Sequence, residues 1–345
     1  MLNNPTYKSL FLGLLLLLFM TLSLLGILKG PVNINFYAVI NILQSQFYDL
    51  LVDDIIPWQQ SIILDVRLPR VLIAIFAGAS LALCGLVMQG MFRNPLASPS
   101  VLGVSSGASL GAVIAIYCGA SLVTPWAVPL FAFIGASISL SVVYRIASNQ
   151  GQANIATLLL AGVAISALNV AATSLLLALS LSNWDVARMI IYWTMGGLDG
   201  RTWDHVLIIL PIISSGFALL LFYSKSLDLL LFGEQHALSV GVDVKRTRLH
   251  LLIITTAMVG ASVSVVGGIG FIGLVVPHIL RLILGPSHRY LLPASLLGGA
   301  IALISADLFV SLFFKDSEVP LGVVTAALGA PFFLFLLIKQ RMVIS

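Results

Sequence analysis

The sequence predicts an all-α polytopic membrane protein of about ten transmembrane helices, and three observations predict it. Of the 345 residues, 59% are hydrophobic and 9% charged, with a mean hydropathy of +1.10, whereas soluble domains carry roughly 25% charged residues. Apolar runs of membrane length recur along the whole chain; about 20 such residues cross roughly 30 Å of hydrocarbon. The charges gather between the runs, as expected when a charge at a helix centre costs about 2.5–3.5 kcal/mol on insertion scales.

The runs fall at 9–28, 71–92, 101–123, 126–143, 156–181, 205–224, 249–266, 269–285, 290–314 and 319–338. The first is longer than a signal-peptide core of about 7–15 residues, and no small-residue cleavage pattern follows it, so it reads as a retained helix. The eighth carries Pro277, His278 and Arg281, and only Gly267-Gly268 separates it from the seventh. What remains suffices for loops but not for a separate soluble domain, so residues 1–345 form a single polytopic transmembrane domain. Ten spans place both termini on one side. With the termini in the cytoplasm, inner segments hold eleven Lys and Arg residues and outer segments six, the bias expected of that orientation.

Cys84 and Cys118 both lie in apolar runs, which argues against a disulfide framework. The net charge of +4 comes from loops, with no basic stripe interleaved with aromatics, so nucleic acid is not an expected partner. None of the five histidines forms an H-E-x-x-H pair, and no Walker A sequence is present. The sequence therefore suggests no catalytic set, metal site or resident cofactor.

Several segments invite function. Asp65-Val66-Arg67-Leu68-Pro69-Arg70 opens the second span, and Arg93-Asn94-Pro95-Leu96-Ala97 closes it. Residues 182–205 gather Trp184, Tyr192, Trp193 and Trp203, the composition of an interfacial aromatic belt. Residues 224–248 read as a short helix pair about Gly233, whose apolar side chains need the bilayer interface or a partner protein to cover them. Small residues recur at Gly103, Ser106, Gly107 and Gly111, and again at Gly322, Thr325, Ala326 and Gly329. They suit close helix packing, with a pathway lining as the sharper alternative. Asp307 is the one acidic residue deep in a span; a buried hydrogen-bonding role is favoured over a proton relay, which usually needs several such groups.

Taken together, Arg67-Leu68-Pro69-Arg70, Gln89, Arg93-Asn94-Pro95-Leu96-Ala97, Leu102-Gly103-Val104, Ser106-Gly107-Ala108 and Leu160-Ala161-Gly162-Val163-Ala164 resemble a known family. So do Gly233-Glu234, Gly270-Phe271-Ile272-Gly273-Leu274-Val275-Val276-Pro277-His278, Arg281, Asp307, Val319-Pro320-Leu321-Gly322 and Gly329-Ala330-Pro331. They resemble the permease subunits of iron-chelate and cobalamin ABC importers, the FecCD type, over residues 60–340. The resemblance implies the type II importer permease fold in the bacterial inner membrane. It implies two cytoplasmic ATPase subunits, a periplasmic binding protein and a second permease copy, most simply a homodimer, around a metal-chelate substrate and among membrane lipid.

It also implies roles. Arg67 and Arg70 match outer arginines that dock the binding protein. Leu230, Leu231, Gly233, Glu234, Leu238 and Gly241 match the ATPase-coupling segment. Asn94, Leu96 and Leu160 match positions near a cytoplasmic gate, joined in the candidate pathway by Ser106, Gly107 and Thr325. Two departures stand out. Ser311 replaces a third docking arginine, with Lys315 the nearest base, and Ile155 sits where the cobalamin permease has a polar gate residue, with Asn154 and Thr157 beside it. The substrate expected is a ferric siderophore or haem, with cobalamin the alternative because 192–197 and 270–281 look like the cobalamin permease. A proton-coupled secondary transporter centred on Asp307 is the rival from outside the family.

Overall fold

The computed structural model describes residues 4–46, 56–95, 97–149, 152–153, 155–314 and 319–344. In chain order the helices are α1 Pro5–Leu28, α2 Phe36–Ser45, α3 Pro57–Ser61, α4 Leu68–Phe92, α5 Val104–Tyr117, α6 Ala120–Val123, α7 Ala127–Ala147 and α8 Ile155–Leu179. They continue as α9 Trp184–Met195, α10 Trp203–Phe222, α11 Ser224–Leu231, α12 Glu234–Ser239, α13 Val244–Val266, α14 Ile272–Leu284, α15 His288–Phe313 and α16 Leu321–Ile344. A π-helical turn, Ile62–Arg67, joins α3 to α4. Two-residue strands, Ser148–Asn149 and Gln152–Ala153, pair antiparallel between α7 and α8.

Each of the ten predicted runs contains a helix. Among the described residues, seven helices are long and apolar enough to cross a membrane: α1, α4 with the turn before it, α7, α8, α10, α13 and α15. The third and eighth runs make shorter helices of 14 and 13 residues. Left-handed Gly103 and Gly119 bound α5 and cut the third run in two. Left-handed Phe271 delays the start of α14. The aromatic stretch after α8, expected only as a belt, is the twelve-residue helix α9, capped by the Asn183 side chain on the Val186 amide.

Position in the bundle follows side-chain size. On α1, Leu10, Leu14, Leu17 and Leu24 are each more than half exposed, so this helix presents its leucines outward. By contrast, α4 is buried without a break from Ala77 to Phe92 and forms the axis of the bundle. It carries Ala74, Ala77, Gly78, Ala79, Ala82 and Gly85, which let neighbouring backbones come close. Lipid tails remove the hydrophobic drive between helices, so close packing and polar contacts must hold them.

Against α15 the packing is antiparallel and runs the full length: Arg70 meets Asp307, Gly78 meets Gly299, and Gly90 meets His288. A methyl group on Gly78 would overlap the Gly299 carbonyl, and one on Gly299 would overlap the Gly78 carbonyl. Gly85 makes the same approach to Gly273 of α14. Polar side chains add register: Ser80 donates to the Met258 carbonyl of α13 at 3.0 Å, and the Gln89 amide donates to the Leu274 carbonyl of α14 at 3.0 Å.

The Gly78–Gly299 approach makes a checkable demand. Overpacking a filled core costs about 1–3 kcal/mol, so Gly78→Ala or Gly299→Ala should lower the thermal midpoint of the detergent-solubilised protein. Gly13, with nothing within 4 Å of a methyl placed there, supplies the control. Equal midpoints for Gly78→Ala and Gly13→Ala would rule out the close approach.

Candidate functional sites at the two ends of the bundle

At one end the chain builds a charged mouth. Pro69 has no N–H to continue the helical ladder, and the turn before it widens: the Leu68 amide bonds back to Ile63. The Leu64 carbonyl, released by that shift, accepts from the Trp203 indole at 3.0 Å. The widened turn ends on Arg67. Its guanidinium is 5% exposed and donates to the carbonyls of Ile27 (2.9 Å), Leu28 (2.8 Å) and Val32. Arg67 therefore closes the C-terminal end of α1, where helical carbonyls lack partners. The expected pair of exposed docking arginines is not what the fold presents, because this guanidinium is consumed inside the chain.

Arg70 faces the other way. Its Nε donates to both Asp307 oxygens (3.1 and 3.0 Å), its Nη2 to Asp307 Oδ1 (2.8 Å) and its Nη1 to Asp199 Oδ1 (2.5 Å). Asp307 is 8% exposed, so this is a buried, forked ion pair joining α4 to α15, while the Asp199 carboxylate is largely open to solvent. The pair borders a cavity of about 720 Å³ lined by Arg70, Arg188, Tyr192, Asp199, Arg201, Ser311, Phe314 and Pro320, within the size range of ligand clefts. Arg188 lies over the Tyr192 ring at 5.4 Å. Burial holds the Arg201 guanidinium below its ordinary pKa, and the Asp199 charge opposes that shift. Lys315, expected as a docking base, lies outside the described residues.

The floor beside this mouth is a meeting of glycines. The Gly322 amide bonds to the Gly196 carbonyl at 3.3 Å, and a side chain on Gly322 would collide with the carbonyls of Met195 and Gly268. Thr325, a pathway candidate, is 7% exposed and donates to Gly322. Gly107 is likewise packed, with its open side against Ser139 and Gly135 of α7. Ser106 accepts from the Asn169 amide of α8 (3.1 Å), which also reaches Ser139 (3.0 Å), so these polar groups tie α5, α7 and α8 together.

The opposite end carries a step made by α11 and α12, on either side of Gly233. Leu227 and Leu230 are buried in the chain's own core, and Leu231 is half-buried. The exposed apolar surface is instead Phe232 (74%), Leu238 (54%) and Val240 (58%). Glu234 pairs with Arg248 at 2.9 Å while half its side chain stays in solvent. Gly241 turns the chain with φ +90. Beneath the step, Asp228 Oδ1 accepts from the His288 backbone amide (2.8 Å) and contacts His288 Nδ1 (2.7 Å). His288 is fully buried and its ring lies against Gly90 of α4.

Of the gate candidates, Asn94 lies in the turn after α4, whose last residue is followed by left-handed Arg93. Leu160 is 72% exposed on α8, where Val163, Leu168 and Val170 are also exposed. Leu96 and Asn154 lie outside the described residues, and Ile155 is described only as backbone. Sequence reasoning did not single out Asp199, Arg188 and Arg201 at the mouth or His288 at the step, and it included Asp228, Phe232 and Val240 only as part of the stretch about Gly233. The signal for Phe232 was available in the leucine-rich stretch before Gly233; the convergence of Asp228 on His288, sixty residues later, had none.

The profile of the FecCD transport family matches residues 15–339. The chain is 38% identical over 348 residues to the hemin transport system permease HmuU of Yersinia pestis, covering 98% of each protein. It is 46% identical over 278 residues to the cobalamin import system permease BtuC of Halobacterium salinarum, covering 81% of this chain and 73% of that one. Among solved structures, a metal-chelate type ABC transporter in an inward-facing conformation superposes with a TM-score of 0.82 at 32% identity, covering 96% of this chain and 99% of that one.

The Arg70–Asp307 pair yields a second expectation. Removing one partner of a buried pair costs about 3–5 kcal/mol, while replacing both with apolar groups is often neutral. Arg70→Ala should therefore lower the thermal midpoint far more than the double change Arg70→Met with Asp307→Leu. A double variant no better than the single one would show that the pair is not an isolated buried unit.

Proposed function

The chain belongs to the FecCD transport family, and from that premise we propose that it is the permease of an ATP-driven importer carrying an iron(III) chelate, a siderophore or haem complex, from periplasm to cytoplasm. The observation that carries the choice of substrate is the match to a hemin permease along 98% of both chains. Cobalamin is the second reading, favoured by the 46% identity to a cobalamin permease over a shorter stretch. A proton-coupled carrier has less support: the Asp307 carboxylate is engaged three ways by Arg70, which leaves little freedom for a relay.

In this reading α11 and α12 seat a cytoplasmic ATPase, which supplies the hydrolysis that this chain has no P-loop to perform. Phe232, Leu238 and Val240 would fill an apolar groove, Glu234 and Arg248 would rim it, and Leu230, Leu231, Gly233 and Gly241 would shape the step from within. The mouth at the Arg70 end would face the periplasm and receive acidic side chains of a binding protein. There Arg188 and Arg201 would offer the charge, Arg70 holds Asp199 at the rim, Arg67 holds the α1 end that frames it, and Lys315 would add to it. A second copy of the chain would complete the pathway, with Asn94, Leu96 and Leu160 near its cytoplasmic constriction. The positive-inside bias supports both termini in the cytoplasm of a cell with an inner membrane.

Uptake by proteoliposomes tests the class and the substrate together. With the ATPase subunit co-reconstituted, ATP should drive entry of haemin or ferric citrate in preference to cyanocobalamin. Entry driven by a pH gradient without any ATPase would overturn the importer reading. Anchor residues in protein interfaces are worth about 2 kcal/mol or more, so Phe232→Asp should cut ATPase co-purification roughly 30-fold while the permease still inserts. At the other end, Arg188→Glu with Arg201→Glu should weaken capture of the loaded binding protein, and the wild-type interaction should weaken as salt rises. Salt-insensitive capture would place docking elsewhere.

A further inference from the structure

The α4–α15 pair has both of its ends fastened, by different means, to the two surfaces where partners are proposed to act. We infer that α4 and α15 move as one rigid strut, and that Asp228 and His288 are positioning residues that pin the α11 step to it, so that displacement of the step reaches the Arg70–Asp199 mouth. The inference rests on the reading of α11–α12 as the ATPase seat.

Three observations carry it. The antiparallel register holds from Arg70 opposite Asp307, through Gly78 opposite Gly299, to Gly90 opposite His288. That is twenty residues of helix, about 30 Å at 1.5 Å per residue, or roughly the hydrocarbon thickness. Between the ends the two backbones touch at Gly78 and Gly299, so sliding one helix past the other would drive Cα atoms into carbonyls; bundles packed this closely switch as units and do not deform smoothly.

The ends are pinned in chemically distinct ways. At the mouth the forked Arg70–Asp307 pair fixes α4 to α15, and the same guanidinium holds the 196–202 loop through Asp199. At the step, one Asp228 oxygen accepts from the first backbone amide of α15 and meets the His288 ring, and the other face of that ring is against Gly90, where a methyl group would stand 2.8 Å from Nε2. A short amphipathic helix resting on a bundle would need only its buried leucines. Here α11 is attached to the start of α15 by two contacts through a single carboxylate oxygen, in a site where His288 has no exposure.

Hydrogen–deuterium exchange on the full chain in nanodiscs tests this without any partner. Asp228→Ala removes both contacts to His288. We expect faster exchange not only at 224–232 and 286–292 but also in the 196–202 loop at the far end, by about three-fold, because opening of a cooperative unit exposes all of it. Coupling is reciprocal, so Asp307→Asn at the mouth should raise exchange at 224–232. Gly90→Ala, which presses on the His288 ring from the α4 side and leaves Asp228 intact, provides a second inner perturbation should Asp228→Ala fold poorly. Exchange confined to within a turn of each substitution overturns the strut. An equal rise in every segment, α7 included, marks general loosening and overturns it too. If the wild-type chain recruits no ATPase, the importer reading fails and the exchange result stands; if it recruits one and exchange stays local, the strut alone fails.

Discussion

Contact between glycine backbones along α4 is the constraint on which the rest of the arrangement depends. In lipid, two helices gain nothing from hiding apolar surface, and association must come from close packing and polar contacts. Gly78 and Gly85 let α15 and α14 reach backbone contact on different faces of α4, while Ser80 and Cys84 turn hydroxyl and thiol toward carbonyls of α13. Three neighbours are thereby held around one axis, with glycines and small polar groups making the closest approaches. The leucine-rich α1 sits at the periphery with no buried residue, and its part in the bundle is concentrated at its C-terminal carbonyls, which take the Arg67 guanidinium.

The charged residues occupy what the packing leaves them. Arg70 and Asp307 meet because the Gly78–Gly299 approach sets the register, and His288 meets Gly90 at the other end of that register. The same ring then takes Asp228 from α11. Each proposed partner surface is therefore connected to the bundle axis by a polar group whose position follows from glycine packing along α4. Of the exposed residues there, Asp199 is bonded directly to Arg70, and Phe232 caps the end of α11 four residues after Asp228.

What the sequence made legible was what depends on local pattern. Ten apolar runs mark the helices, Gly267-Gly268 marks a break, and Gly233 separates two short helices, because hydropathy and glycine placement act over a few residues. Arg67 and Arg70 illustrate the limit. Three residues apart, they would share one face of a regular α-helix, yet Arg67 ends a π-helical turn and the two side chains are taken by different partners. One caps α1 and the other pairs with α15, a division set by which helices flank α4. Leu230 and Phe232 show the same limit: adjacent leucines and a phenylalanine are equally apolar, and only the neighbouring α4 and α15 decide which is inside. The small residues at Gly107 and Thr325 suited either a packed face or an open one; within the chain Gly107 lies against α7 and Thr325 bonds back to Gly322.

Arg67 has a further consequence, for how the chain enters the membrane. A guanidinium costs about 2.5–3.5 kcal/mol at a helix centre on biological insertion scales, and an unpaired one near a helix end still favours a polar partner. Its three carbonyl acceptors lie at Ile27, Leu28 and Val32, all made before it during synthesis. When the second long helix emerges, the end of the first already presents the oxygens that neutralise its most awkward side chain, and Gly30 leaves that side chain room to lie down. The order of the chain thus supplies a local chaperone: the first helix, which contributes little to the interior, prepares the landing site for the helix that becomes the axis.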